Sequence, residues 1–338
     1  MYRTALVDLH LHLDGSLDLK WAYERSLELG VIEEGTSFDD YWRMLYETKY
    51  KNRRDGFKKF DLACSVLQSR EDLFEASYSL VHRLAKDGLI YAEIRFASQQ
   101  HTKGGLTQKE AVEAVIAGAK RASEESGILI GIIDCLMHKG DSAKVNHEEN
   151  LLTVENAREL LGQGLVGLDL AGFENNCDYN EYAPYFEKAR AYGIPYTLHA
   201  GEMGMAEHVR DALRMKPQRI GHGINCVKDE TILKEVVDSQ IPLEVCLTSN
   251  CRHRLSYIDH PVRKLLDAGA VVTLNCDNMT FSETTLAHEH MRMGLLGVSE
   301  SVLEECTRNA IRASFATQKE KELLLERAER IFAEGSEE

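Results

Sequence analysis

The stretch V-D-L-H-L-H-L-D-G-S, residues 7–16, alternates apolar and ionisable side chains as far as its second aspartate. Side chains of a β-strand point alternately to its two faces, so the pattern predicts one strand with an apolar face and a face of ionisable groups. The ionisable groups are Asp8, His10, His12 and Asp14. Two histidines between carboxylates are typical of half of a metal site, and alternation is also typical of a solvated surface strand. The stretch alone leaves both interpretations open.

Composition and charge restrict the classes of protein that fit the sequence. The 338 residues are 43% hydrophobic and 28% charged, which is typical of a globular protein long enough to form one α/β barrel. The formal net charge of −15 argues against a nucleic-acid partner, because binding to phosphates requires a basic face. No apolar run approaches about 18 residues, so we expect no membrane-spanning helix and no membrane partner.

The first residues and the cysteines indicate a compartment. Residues 1–14 are already occupied by the first predicted strand, which leaves no room for a signal peptide ahead of the fold. The eight cysteines include no CxxC pair, and several lie in apolar runs, where a reduced cysteine behaves as a small buried hydrophobe. We therefore expect a cytoplasmic protein with reduced thiols and without a cysteine-ligated zinc site.

Eight short apolar or β-branched runs recur along the chain, with segments of helical spacing between them. A strand followed by helical sequence, eight times over, predicts an α/β fold of the (β/α)8 TIM-barrel type. We expect the whole chain, residues 1–338, to form this single domain. The predicted strands are the opening stretch and residues 89–96, 128–135, 165–170, 194–199, 219–222, 241–247 and 270–275.

The interval between the first two predicted strands is longer than one crossover helix requires. Residues 18–87 contain several helical patterns, so we expect extra helices inserted after strand 1. An insertion at this point lies over the C-terminal mouth of the barrel. We therefore expect part of it to form a lid over the active site.

The residues best suited to catalysis fall at the C-terminal ends of predicted strands, where barrel enzymes place their reacting groups. Each has an ordinary alternative: a histidine at a strand end is often a hydrogen-bonded structural residue, and Asp277 beside Asn278 is also typical of a turn or a helix N-cap. Their shared position at one barrel mouth predicts a common site. The set is His10, His12, His199, Glu202, His222 and Asp277.

Three neutral imidazoles and one carboxylate suit a divalent ion such as zinc, which lowers the pKa of a bound water to about 7. We assign the ligand role to His10, His12, His199 and Asp277. His222 would then orient the water and accept its proton, and Glu202 would carry a proton to the substrate. A two-metal site typically needs a bridging carboxylate or modified lysine after strand 4, and D-L-A-G-F at 169–173 has no lysine, so one metal is favoured.

At this point the chain resembles the adenosine deaminases of the metal-dependent amidohydrolase superfamily. The resemblance covers about residues 7–290 and follows the family's order of motifs; L-N-C-D-N and the residues after it look most like bacterial members. The motifs are H-L-H-L-D-G-S (10–16), D-L-A-G (169–172), H-A-G-E (199–202), R-I-G-H-G (219–223), E-V-C-L-T-S-N (244–250) and L-N-C-D-N (274–278).

The resemblance implies a (β/α)8 barrel with one Zn2+ per chain that hydrolytically removes the 6-amino group of adenosine or 2′-deoxyadenosine. The products would be inosine or 2′-deoxyinosine and ammonia. Glu202 would protonate purine N1 while hydroxide attacks C6. His222 would position the water and help to take its proton, and Asp277 would assist while bound to the metal.

The resemblance also implies a substrate-binding set. Asp14 would hold the ribose 5′-hydroxyl, the backbone N–H of Gly172 would meet N3, and His12 would contact the substrate as well as the metal. Many relatives have an aspartate where this chain has Asn278, a group that donates to N7, and an amide keeps that donor. Two further departures, Phe173 and C-L-M-H at 135–138, are expected to affect fine specificity and not the chemistry.

Two alternative functions belong to different classes. A barrel that binds nucleosides without turnover would be expected to have lost at least one ligand or the acid, and all are present. A deaminase of a related 6-aminopurine, such as adenine, an N6-modified nucleoside or a nucleotide, is the nearer rival. Asp14 beside the 5′ end should repel a phosphate, so we expect adenosine monophosphate to be a poor substrate. The cytidine-type zinc deaminase is excluded because the chain has no P-C-x-x-C motif.

Overall fold

Eight parallel strands form the centre of the computed structural model of the chain, which describes residues 5–46, 58–140, 142–174, 178–252 and 255–335. They occur in the order predicted from the sequence. The strands are β1 Leu6–His12, β2 Leu89–Phe96, β3 Leu129–His138, β4 Leu165–Gly172, β5 Thr197–Ala200, β6 Arg219–His222, β7 Leu243–Val245 and β8 Val272–Leu274.

The strands pair in sequence order as two four-stranded sheets, β1-β2-β3-β4 and β5-β6-β7-β8. Backbone contacts join the sheets at both seams. At one seam Leu168 of β4 donates its N–H to Pro195 O just before β5, at 3.0 Å. At the other, His12 of β1 donates its N–H to Asp277 O just after β8, at 2.7 Å. The ring of strands is thereby closed, which confirms the predicted (β/α)8 barrel.

Helices surround the ring and cover it with apolar side chains. Capping residues define several of them: α5 begins after a capping box made by Thr107 and Glu110 and ends at Gly127, whose φ of +77° suits glycine. The helices are α1 Leu19–Glu28, α2 Phe38–Tyr46, α3 Lys58–Ser65, α4 Arg70–Lys86, α5 Gln108–Ser126, α6 His147–Leu160, α7 Tyr179–Ala191, α8 Ala206–Arg214, α9 Glu230–Ser239, α10 Leu247–Cys251, α11 Val262–Asp267, α12 Met279–Ser282, α13 Leu286–Leu295, α14 Glu300–Ala313 and α15 Gln318–Gly335.

Both faces of β1 are buried, which excludes the interpretation of the opening stretch as a solvated surface strand. Val7 and Leu9 belong to one apolar cluster with Ile311 of α14 and Phe332 of α15, so the apolar face meets the surrounding helices. Asp8 and His10 are fully buried on the alternate positions and face the interior of the barrel. The alternation therefore separates two buried environments, one apolar and one polar.

Within the described residues, helices α1 to α4 lie between β1 and β2 and correspond to the predicted extra helical segment. Residues 47–57 of the predicted lid lie outside the described residues. Among the described residues no helix combines the length and the apolar character needed to cross a bilayer.

Candidate metal centre and active site

Side chains from four separate strand ends converge at the C-terminal mouth of the barrel. One ligand atom from each of His10, His199, His222 and Asp277 lies within 4.8 Å of all the others. The fifth predicted group, His12, places Nε2 3.2 Å from His199 Nε2 and 3.4 Å from Asp277 Oδ1. The structure thus brings together all the histidines and the aspartate that the sequence placed at strand ends.

Two members of this cluster adopt an unusual backbone conformation. His222 and Asp277 each have φ of +62°, in the left-handed region that non-glycine residues seldom occupy. Such conformations cost energy and occur preferentially at functional sites. Here they turn the two side chains into the mouth directly after β6 and β8.

His10 is oriented by a carboxylate behind it. Its Nδ1 lies 2.8 Å from Glu244 Oε2, so Nδ1–H donates to the carboxylate and Nε2 keeps a free lone pair. Nε2 is buried, has no hydrogen-bond partner among the described residues and lies 3.6 Å from Asp277 Oδ1. An unpartnered buried nitrogen facing a carboxylate is the arrangement expected of a metal ligand.

His199 is oriented in the same way, by Asp169 of β4. Its Nδ1 lies 2.8 Å from Asp169 Oδ2, which directs Nε2 towards His12. Burial opposes ionisation of this carboxyl group, but the charges of His199 and Arg95 together hold the pKa of Asp169 well below its usual range. The carboxylate therefore stays ionised behind the imidazole.

One buried guanidinium joins the two supporting carboxylates. Arg95 of β2 donates to Asp169 Oδ2 and to Glu244 Oε2, each at 2.9 Å. Arg219 of β6 donates to the other oxygen of Glu244 at 2.6 Å, and all four side chains are fully buried. The barrel interior is thus an ion-pair network that fixes two of the candidate ligands from below.

Asp277 and His222 also have defined partners. Ser249 donates its hydroxyl to Asp277 Oδ2 at 2.5 Å, which leaves Oδ1 facing His10 and His12. His222 Nδ1 lies 3.2 Å from the Asn250 side-chain amide, which orients the ring. Burial and the neighbouring His10 hold the pKa of His222 well below its usual range, which favours the neutral ring.

The predicted proton carrier lies beside this ring. Glu202 Oε2 is 4.0 Å from His222 Nε2, and its side chain is 21% exposed, so it faces the open mouth. The buried ring of His222 and the partly exposed carboxyl group of Glu202 therefore lie next to each other. This is the arrangement expected of an acid and a base that act on one substrate.

The predicted substrate-binding residues occupy the rim. Burial raises the pKa of Asp14 to about 6, although Cys64 lies 3.6 Å away and donates to it. Asn278 packs directly on Gly15, where a Cβ would lie 1.8 Å from Asn278 Oδ1. Gly172 ends β4 with φ of +125°, a conformation suited to glycine, and a Cβ there would lie 2.4 Å from a backbone oxygen.

Part of the helical insertion reaches the loops around the site. Trp42 of α2 donates to Glu283 Oε1 at 3.2 Å, and Tyr46 donates to the other oxygen of the same carboxylate. Lys59 of α3 lies over the ring of Phe281, 4.9 Å from its centroid. Glu283 and Phe281 both follow β8, so α2 and α3 contact the loop that begins at the cluster.

Several residues of the site were not singled out from the sequence. Glu244 and Asp169 lie inside the recognised motifs, but the motifs do not show that these side chains point at histidines. Arg95 lies in the run L-I-Y-A-E-I-R-F, where a charged residue at alternate positions is the only available signal. Glu174, which contacts the loop carrying Glu202, follows the D-L-A-G-F motif directly.

The fold and the site define a class of protein. A (β/α)8 barrel that gathers imidazoles and a carboxylate at its C-terminal mouth, with two of the imidazoles held by buried carboxylates, is the architecture of a metal-dependent barrel enzyme. The donor set fits a divalent ion.

Comparison with known proteins assigns the chain to one family within this class. The sequence model of the adenosine deaminase family matches residues 5–331, and the chain belongs to that family. The adenosine deaminase of Haemophilus ducreyi is 35% identical over 335 residues, which cover 95% of this chain and 94% of that protein. The family resemblance predicted from the motifs is thereby confirmed.

Solved structures of similar proteins have the same fold over nearly their whole length. The adenine deaminase from Arthrobacter aurescens matches with a TM-score of 0.86 at 24% identity, covering 97% of this chain and 98% of that one. The N6-mAMP deaminase of arabidopsis matches with a TM-score of 0.84 at 26% identity, with the same coverage. The first of these, below 25% identity, supports the fold alone.

Proposed function

We propose that this chain is a metal-dependent adenosine deaminase that hydrolyses adenosine or 2′-deoxyadenosine to the inosine product and ammonia. The observation that carries the proposal is the convergence of His10, His199, His222 and Asp277 within 4.8 Å of one another. His12 lies 3.2 Å from His199, and Glu202 lies 4.0 Å from His222. The proposed reaction is the one for which the adenosine deaminase family, to which the chain belongs, is named.

The donor spacing supports a single ion. Two donor atoms bound to one zinc at about 2.0–2.1 Å lie at most about 4.2 Å apart. His12 and His199 are separated by 3.2 Å, and Asp277 Oδ1 is 3.4 Å from His12 and 3.6 Å from His10. We therefore assign one Zn2+ per chain to His10, His12, His199 and Asp277.

His222, the remaining histidine of the cluster, is not a metal ligand in this proposal. The ring of His222 has its Nδ1 turned to Asn250 and its Nε2 directed towards Glu202, so it suits contact with water better than with the metal. When bound, the ion lowers the pKa of its water so that hydroxide is available at neutral pH. His222 positions that water and takes its proton.

Glu202 performs the step on the purine. Attack at C6 breaks the conjugation of the ring, and a proton delivered to N1 at the same time prevents a localised anion from forming there. Its mouth-facing position beside His222 suits this transfer. General-acid catalysis of this kind contributes about 10²–10⁴-fold to the rate.

The substrate is held by groups on the rim in this proposal. Asp14 binds the ribose 5′-hydroxyl, the N–H of Gly172 meets purine N3, and His12 lies against the substrate as well as the metal. The Asn278 side-chain amide nitrogen donates to purine N7. The partner is thus a small purine nucleoside.

A related 6-aminopurine is the second candidate substrate, supported by the 26% identity to the N6-mAMP deaminase. The buried carboxyl group of Asp14 argues against a 5′-phosphate at the same position. The sequence identity of 35% to a relative named adenosine deaminase is higher, which favours the unphosphorylated nucleoside as the substrate.

A substrate panel tests the proposal. Adenosine, 2′-deoxyadenosine, adenine, an N6-methylated nucleoside and adenosine monophosphate are assayed with protein whose metal content has been measured. We expect the two nucleosides to give the highest kcat/KM. Highest efficiency with adenine or the monophosphate would replace the main proposal by the second candidate.

We also propose a cytoplasmic location. The seven cysteines within the described residues are all free and buried, which is consistent with a reducing compartment.

A further inference from the structure

The loop that carries Glu202 directs four consecutive backbone N–H groups at one carboxylate. Glu174 Oε2 accepts from the N–H groups of Glu202 at 3.0 Å, Met203 at 2.8 Å and Gly204 at 3.1 Å. Its Oε1 accepts from the N–H of Gly201. The loop between β5 and α8 is therefore wrapped around a single side chain.

The carbonyl side of the same loop is held by a second residue. The Asn225 side-chain amide donates to Glu202 O at 3.1 Å and to Gly204 O at 2.9 Å. The backbone N–H of Asn225 also donates to Gly201 O at 2.9 Å. Donors and acceptors of the loop backbone are thus both fixed, and Asn225 lies just after β6, the strand that pairs with β5.

The supporting carboxylate is itself held in place. Glu174 is 5% exposed, and His208 Nδ1 of α8 lies 3.0 Å from its Oε1. Burial opposes ionisation, but the hydrogen bonds from His208 and from the loop N–H groups lower the pKa of Glu174. A Cβ on Gly204 would lie 2.2 Å from His208 Nδ1 and 2.9 Å from Glu174 Oε1, so the loop fits closely around the group.

We propose that Glu174 is a positioning residue for Glu202, which it places by fixing the backbone from which the Glu202 side chain extends. The inference rests on the proposed function, in which Glu202 protonates the purine. A general acid must lie within hydrogen-bond reach of the atom that it protonates, and a misplacement of about 1 Å costs about 10²-fold in rate. Glu174 contacts the loop backbone and His208 and is not one of the converging donor residues.

The substitution Glu174→Gln tests this role. Glutamine keeps the shape of the side chain, but its amide nitrogen must face N–H groups that already donate, so the loop loses acceptors. We expect kcat to fall by about 10²-fold, with KM, metal content and melting temperature near the wild-type values. The matched control is Glu320→Gln, which alters a carboxylate that accepts a backbone N–H at 2.8 Å at the start of α15. The control should keep full activity.

A double-mutant cycle separates positioning from general support of the structure. If Glu174 acts through Glu202, then Glu174→Gln should have almost no further effect on kcat in a Glu202→Gln background. The same fold-loss in both backgrounds would overturn the proposal, and so would an unchanged kcat in the single variant. Where Glu174→Gln does not fold, Asn225→Ala, which frees the carbonyl side of the loop, must show the same dependence on Glu202.

The outcome is distinguishable from failure of the proposed function. Wild-type protein without adenosine turnover would contradict the function, and the cycle would then be measured on whichever 6-aminopurine is turned over. Active wild type with an inactive Glu202→Gln variant and a fully active Glu174→Gln variant would contradict this inference alone.

Discussion

Nδ1 of His10 lies 2.8 Å from Oε2 of Glu244, so the imidazole that offers Nε2 to the donor cluster is held from behind by a fully buried carboxylate. Arg95 and Arg219 both donate to that carboxylate and keep it charged and oriented. The metal centre that we propose therefore depends on residues deep inside the barrel as well as on its ligands.

The substitution Glu244→Gln should weaken metal binding by about 10–100-fold. An amide in place of the carboxylate meets two guanidinium groups that donate, so it loses acceptors and orients His10 less firmly. Affinity is measured by competition with a chelator that reports zinc by colour. Glu320→Gln serves as the control, and unchanged metal affinity in Glu244→Gln would show that this carboxylate has no role at the centre.

The substitution Glu202→Gln should keep the metal and lose turnover. Glutamine retains the size of the side chain but has no proton to give to N1, so kcat for adenosine should fall by about 10²–10⁴-fold. Steady-state rates and metal analysis on the same preparation make the measurement. A variant with near-normal kcat would remove Glu202 from the mechanism.

The sequence predicted the cluster of histidines and Asp277 because histidines at strand ends are uncommon and barrel strands bring their C-terminal ends together. It did not predict the carboxylates behind them. Glu244 of β7 lies far along the chain from His10 of β1, and Asp169 of β4 lies on the other sheet from His199 of β5, so only the closed barrel brings each pair together. Arg95 was hidden for the same reason, since a buried arginine is explained only by partners on other strands.

Strand boundaries show a similar limit. The run at 241–247 predicts a strand of seven residues, but β7 ends at Val245 because Leu247 begins α10. Apolar residues continue past Val245 through Cys246 and Leu247, so hydrophobicity alone does not mark the change from strand to helix. The run at 89–96, by contrast, coincides with β2, whose eight residues are all buried.

The stability of the protein should depend on pH through Asp134 of β3. Burial raises the pKa of Asp134 from 3.8 to about 7, although Ser98 donates to it through both N–H and hydroxyl. Because the folded pKa is the higher one, its contribution to stability is complete below about pH 4. It is lost as the pH rises to about 7, by at most about 4 kcal/mol.

The substitution Asp134→Asn isolates this effect, since an amide can serve both Ser98 groups without carrying a charge. The free energy of unfolding of the variant relative to wild type should rise between about pH 4 and pH 7 and stay level above. Denaturant unfolding at several pH values measures the difference. A constant difference across that range would contradict the assignment.

Discrimination against a 5′-phosphate should depend on Asp14. Like charges placed next to each other cost several kcal/mol, so wild-type kcat/KM should favour adenosine over adenosine monophosphate by at least about 10²-fold. Asp14→Asn should lower kcat/KM for adenosine and reduce the ratio of kcat/KM for adenosine to kcat/KM for adenosine monophosphate. Equal specificity constants for the two substrates in wild type would show that this electrostatic argument fails.

Helix α2 should respond to ligand if it forms part of a lid. Its contacts with the loop after β8 run through Glu283, which accepts from Trp42 and from Tyr46. Glu283→Ala should therefore speed amide hydrogen exchange in α2 and raise KM, with Glu300→Ala as the control on α14. Exchange in α2 that is slow, and equal with and without nucleoside, would count against a lid.

The central claim is that one metal ion, held by His10, His12, His199 and Asp277, makes this barrel a nucleoside deaminase. Its most direct test is a single measurement on wild-type protein and the His199→Ala variant: zinc per chain together with the loss of adenosine absorbance. We expect one zinc and turnover in the wild type, with both strongly reduced in the variant. Turnover in protein free of metal, or a wild-type level of zinc and activity without His199, would contradict the account.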